Sequence, residues 1–199
     1  MPCCRPPSPL RLPPPLVGAP INLWNFAWVA LAFAVMAAAI VAGNLWTLDF
    51  VHVMTGGLWT GIDLFMGFIV GPTLRAAPFE ARRAILTRLV PKTLFIMPTL
   101  AIITGTTGWF LAGRVGFLAL PYPQFYWVVA ALTIVTILTI QGLGYLLPTN
   151  LRVYLELRRP NPDGPKIGAL MSRYFYVVAI QGTLQVLIIV VMARFATGI

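Results

Sequence analysis

The stretch HVMTGGLWTGIDLFMGFIVGP, His52 to Pro72, decides how this chain is read. As a helix it is long and apolar enough to cross the ~30 Å hydrocarbon core of a bilayer, which takes about 20 residues. Yet it contains the single histidine of the chain, His52, and an acid, Asp63. A charged side chain at that depth costs about 2.5–3.5 kcal/mol on insertion scales, so such residues face a bundle interior and find partners.

The rest of the chain agrees with a membrane reading. Of 199 residues 59% are hydrophobic and 10% charged, and mean hydropathy is +0.85. Soluble domains carry about a quarter charged residues. Five apolar runs are long enough to span: about Leu23 to Trp46, Phe50 to Gly71, Thr93 to Ala112, Gln124 to Leu147 and Tyr174 to Phe195. Backbone polar groups in lipid must pair within their own segment, so these runs are helices. The expectation is an all-α, polytopic bundle of five transmembrane helices. Residues 21–199 form one membrane domain, preceded by a proline-rich tail over residues 1–20. The short turn from Asn44 to Asp49 makes the first two spans a hairpin.

Charge sets the orientation. Arg5 and Arg11 in the tail, Arg75, Arg82, Arg83, Arg88 and Lys92 after span two, and Arg152, Arg158, Arg159, Lys166 and Arg173 after span four fall on one side. Only Arg114 and Arg194 fall on the other. Lys and Arg collect in cytoplasmic loops, which puts the N-terminus inside, the C-terminus outside, and the chain in the cell (inner) membrane. The net charge of +9 is thereby a match for anionic lipid. It does not read as nucleic-acid binding, because no basic surface is large enough to follow a phosphate backbone. PFEARRAILTRLV, Pro78 to Val90, reads as a short amphipathic helix on the inner leaflet. RRPNPDGPK, Arg158 to Lys166, reads as a turn. Cys3 and Cys4 are adjacent and make neither a metal spacing nor a disulfide framework.

On a helical wheel of ~100° per residue, His52, Gly56, Trp59, Asp63, Met66, Gly67 and Val70 share one face. Gly57 and Gly61 lie beside it in a small-xxx-small spacing that suits close helix approach. Asp63 is about 16 Å deeper than His52 at 1.5 Å per residue. Gln141 and Gln181 fall at a similar distance from the inner ends of their spans, so the three polar residues are expected in one layer. That layer is either hydrogen-bond glue between helices or a quinone-headgroup or proton site. At the outer end, His52 is near Asp49 in sequence and level with Met192. His52 there is either an interfacial hydrogen-bonder or, with Met192, a ligand pair for haem iron or copper. Trp46, Trp59, Trp109, Tyr122, Tyr126 and Trp127 collect in the outer half, mostly as an interface belt.

H-x6-W-x-G, formed by His52, Trp59 and Gly61 at the start of a span after a tight hairpin, resembles a group of bacterial membrane proteins. These are the CopD-like copper-resistance proteins, the HemJ-type protoporphyrinogen oxidases and the membrane domain of urate hydroxylases. The resemblance covers about residues 46–112, including VPKTLFIMPTLAIITGTTGWFLA, Val90 to Ala112. It implies a haem- or copper-associated bundle with His52 as first ligand and Trp59 and Gly61 at the cofactor. The chain departs from it in lacking a second histidine.

Three functions follow as expectations. One is a membrane oxidoreductase or redox-associated protein holding b-type haem or meeting quinol, with His52 as ligand, Met192 as a second ligand and Asp63 as proton acceptor. Another is a non-catalytic subunit within a homo-oligomer or a larger membrane complex. The third is a copper or metal transporter. No Ser/His/Asp set, phosphate loop or paired carboxylates suggest hydrolase or kinase chemistry.

Overall fold

A computed structural model describes residues 24–198. The proline-rich tail and Cys3 and Cys4 lie outside the described residues. Within them the chain is all-α, with no strand, and five helices are long and apolar enough to span a membrane. They are α1 (Trp24–Ala42), α2 (Leu45–Ala76), α3 (Phe79–Val115), α4 (Phe125–Leu157) and α5 (Gly164–Ala196).

The helices are longer than the apolar runs. At 1.5 Å per residue α3 measures about 55 Å, well beyond the hydrocarbon thickness. The surplus is at the inner end, and it corrects one expectation. Pro78 to Val90 is not a separate surface helix: it is the first part of α3, running into the span without a break. Its apolar residues divide: Phe79 and Ile85 are exposed, while others enter the core. Leu86 and Val90 are buried against Val153, Tyr154 and Leu157 of α4 and Ile167 and Met171 of α5. Three basic-rich helix ends thus share one apolar core, and their arginines stay outside it.

Two prolines that look like span ends are not. Pro72 and Pro148 each follow a π-helical turn, Met66–Val70 in α2 and Ile140–Leu146 in α4, after which the helix continues. Proline lacks an N–H and its ring crowds the carbonyl four residues earlier. The widened turn relieves that crowding: the Gly71 N–H reaches back to the Met66 carbonyl and the Leu147 N–H to the Gly142 carbonyl. The turn between α1 and α2 is shorter than expected. Gly43 and Asn44 alone are non-helical, Gly43 takes a φ of 73°, and the Asn44 side chain caps α2 by accepting from the N–H groups of Trp46 and Thr47.

α2 is the central helix. It packs most extensively on α3 and next on α5. The α2–α5 seam is antiparallel and tight: Leu64 meets Gly182, Gly67 meets Ala179 and Gly71 meets Phe175. A Cβ on Gly67 would lie 2.7 Å from the Ala179 Cα. Gly57 and Gly61, the pair expected to admit a helix, are exposed with open space where a Cβ would be. The close-approach pair is one turn or more further in, Gly67 and Gly71, at the same small-xxx-small spacing. α1 is peripheral: Ala39 is its one buried residue, and its Ile40 carbonyl accepts from Arg114 of α3.

Candidate functional site

The polar face of α2 meets two different neighbours. At its outer end His52 faces α3. The backbone carbonyl of Thr104 accepts from His52 Nδ1 at 3.0 Å, and the Thr107 hydroxyl is 3.5 Å from the same nitrogen. The Thr104 hydroxyl donates to Thr55 of α2 at 2.9 Å. Gly108 makes room for the ring, since a Cβ there would lie 2.6 Å from His52 Cε1. With Nδ1–H committed to a carbonyl, Nε2 carries the lone pair. His52 therefore turns to α3 and not to α5; no hydrogen bond joins it to Met192 among the described residues.

Further in, Asp63 faces α5. Its carboxyl is 1% exposed, and Oδ2 accepts from Gln181 Nε2 at 2.8 Å. Trp59 and Gln185 also turn toward the carboxyl. Gln181 and Gln185 are each 1% exposed and lie one helical turn apart on α5, as Trp59 and Asp63 do on α2. The α2–α5 glycine seam brings these two pairs together.

Beside Asp63 is a cavity of about 30 Å³ between α2, α3, α4 and α5. That is room for one or two waters. Asp63, Trp59, Gln181, Tyr174, Thr93 and Asn150 supply the chemically distinctive part of its wall. Two of the amide donors beside the cavity are engaged, those of Gln181 and Asn150. Asn150 Nδ2 donates to Thr93 Oγ1 at 2.9 Å, while the Thr93 hydroxyl turns to the carbonyls of Leu89 and Val90. That fixes which end of the Asn150 amide is nitrogen, as the bond to Asp63 does for Gln181. Asp63 Oδ1, Gln181 Oε1 and Asn150 Oδ1 are buried without partners, as are Nε2 and Oε1 of Gln185, and the Trp59 indole and Tyr174 phenol stand in the same wall. Buried acceptors left unpaired cost about 1–3 kcal/mol each. The site as folded suits a small polar molecule such as water, which both donates and accepts.

Of the three polar residues expected in one layer, the structure joins Asp63 and Gln181 directly. Gln141 is the correction. No hydrogen bond links it to either, its Oε1 is buried without a partner, and its neighbour Gly142 lines the cavity instead. The π turn of α4 contains both residues and shifts the register there, which a regular wheel does not capture. Gln185 and Asn150 were missed. Gln185 was readable, since IQGTLQ repeats glutamine at helical i, i+4 spacing; Asn150 sits beyond Pro148, where the span was taken to end. Trp59 is buried beside Asp63, whereas Gly61 is exposed. Trp46, Trp109, Tyr122 and Tyr126 are more than half exposed, as an interface belt requires.

Among the described residues no three His, Cys, Asp or Glu side chains gather closely enough to hold a metal ion. Comparison of the chain with protein-family models, with curated proteins and with solved structures finds no match.

Proposed function

We propose that the chain is a redox-associated protein of the cell (inner) membrane whose working group is the Asp63 carboxyl, a site that takes up and returns a proton in the inner half of the bundle. The observation that carries this reading is a water-sized polar cavity beside a buried carboxyl. Three buried oxygens without partners, one of them on a carboxylate, favour species that arrive with O–H donors: water, hydronium or the hydroxyl of a quinol. The cavity as it stands admits water and not an aromatic ring. A quinol headgroup therefore meets it from the lipid side and passes its proton through one or two waters. π turns, features frequent at functional sites, flank this level in α2 and α4.

Infrared difference spectroscopy in lipid tests the reading. The wild type should show a carboxyl C=O band that titrates, shifts in D2O and responds to a short-chain quinol. Asp63→Asn should lack it. A wild type without such a band across the accessible pH range would sink the proposal.

A b-type haem at His52 is a second reading, favoured by the imidazole tautomer. A ligating histidine commonly donates its other ring N–H to a carbonyl, which orients the ring and frees one nitrogen; His52 has that arrangement. The haem would supply electron transfer and His52 Nε2 would hold it; Met192, on α5, is not on the side to which His52 turns. A reduced-minus-oxidised spectrum of the purified protein beside His52→Ala decides this; a colourless, folded wild type ends it.

A further inference from the structure

On the face of α5 turned away from Asp63 is a second, larger recess of about 410 Å³, lined by Arg75, Tyr145, Ser172, Arg173, Tyr176 and Val177. Its size is that of a small-molecule site, roughly 300–1,000 Å³. Arg75 comes from the end of α2, Tyr145 from the π turn of α4, and the rest from α5. The α2–α5 seam explains the meeting: with Gly71 on Phe175, Arg75 and Arg173 fall at the same level. Neither guanidinium has an acidic partner among the described residues; the ion pairs there, Arg159 and Lys166, both belong to Glu156. Two unpaired guanidinium groups, two phenol hydroxyls and a serine hydroxyl make a set of donors that matches a phosphate.

The location identifies which phosphate. The recess is at the inner end of the transmembrane part, where Arg75 sits in the last turn before the basic loop. Tyr145 and Tyr176 are 39% and 66% exposed, in the amphipathic position tyrosines take at headgroup level. Toward the membrane centre Phe68, two turns from Arg75 on the same side of α2, and Ile180, one turn from Tyr176 on the same side of α5, are apolar and exposed. A ligand with a charged head and acyl chains satisfies both halves. We infer that this recess binds the phosphodiester headgroup of an anionic phospholipid of the inner leaflet, with its chains along α2, α4 and α5. Basic pockets between helices on the cytoplasmic side are a known physical solution for such lipids.

The test is native mass spectrometry of the detergent-purified, full-length chain with added phosphatidylglycerol or phosphatidylcholine, repeated with inorganic phosphate. Phosphatidylglycerol should stay bound, phosphatidylcholine should not, and Arg75→Ala/Arg173→Ala should weaken retention by roughly 30-fold, as about 1 kcal/mol per arginine implies. Arg88→Ala/Arg152→Ala, an exposed pair outside the recess, should retain lipid as the wild type does. Arg75→Lys/Arg173→Lys keeps the charge and should retain part of the affinity, which separates lost binding from lost fold. Equal retention by both alanine pairs, or equal binding of the two lipids, overturns the inference. Inorganic phosphate binding as tightly as the lipid overturns the membrane source and leaves a free-anion site.

Discussion

His52 and Asp63 share one face of one helix, about three turns apart, and they are treated in opposite ways. Around His52 the polar groups are matched: Nδ1 to the Thr104 carbonyl, Thr104 to Thr55, and a glycine shaped to the ring. Around Asp63 they are not: one strong bond to Gln181, then unpartnered oxygens around a cavity. A matched group in a membrane protein serves packing and orientation well. An unmatched, buried set weakens the fold and persists where something else makes use of it. On the proposed reading the proton chemistry belongs to Asp63, while His52 is a fixed ring with one free nitrogen.

The largest expected effect tests what holds the Asp63 side together. Gly67→Ala places a methyl 2.7 Å from the Ala179 backbone. The seam must open, at about 1–3 kcal/mol or more, and Gln181 is drawn off Asp63 as it does so. Gly61→Ala, in open space, should instead be neutral or stabilise the helix by up to about 1 kcal/mol. Thermal unfolding of both variants in one detergent makes the measurement; equal losses would mean that the α2–α5 seam is not where the structure puts it.

Next in size is a double-mutant cycle at Asp63 and Gln181. Gln181→Leu alone strips the carboxyl of its donor and should cost about 1–3 kcal/mol. Adding Asp63→Leu removes both partners and should recover most of that loss, since buried polar pairs often give way to apolar ones at no net cost. The infrared band should vanish in the double variant while stability returns. If the double variant is as unstable as the two single losses summed, Asp63 and Gln181 are not coupled and the bond that orders the site is absent.

These effects also show what the sequence makes legible and what it does not. Five apolar helices and the side of α2 that carries His52 and Asp63 follow from hydropathy and a 3.6-residue period, both of them one-dimensional. The inner ends of the helices do not. Leu86 and Val90 look like one face of a surface helix because periodicity reports an apolar side without saying what covers it. Pro72 and Pro148 look like ends because a proline's cost can be met by stopping the helix or by widening one turn, and packing decides which. Gly57 and Gly61 have the same spacing as Gly67 and Gly71; only the α5 sequence opposite, with Ala179 and Phe175 in register, separates the pair that packs from the pair that faces outward. Gln141 sits in the π turn at the level of Gln181, with Gly142 beside that residue, and only packing decides which of the two meets the cavity.

On the His52 side the effects are smaller because alternatives exist for each bond. Gly108→Ala should push the imidazole off the Thr104 carbonyl, costing about 1 kcal/mol, and release the ring from its single tautomer. Nitrogen-15 NMR of the labelled histidine reads this directly: one tautomer in the wild type, a mixture in the variant.

Thr104→Val is the finest test of the contrast. It deletes the hydroxyl that donates to Thr55 but leaves the backbone carbonyl that accepts from His52. Interhelical side-chain bonds in membranes average about 0.6 kcal/mol, so the loss in stability should be near that figure. The His52 tautomer should stay as in the wild type, because the group that fixes it is main chain and α3 holds it in place. A tautomer change in Thr104→Val would mean that the ring depends on the threonine pair. His52 would then be as conditionally held as Asp63, and the distinction between a fixed ring and a working carboxyl would lose its basis.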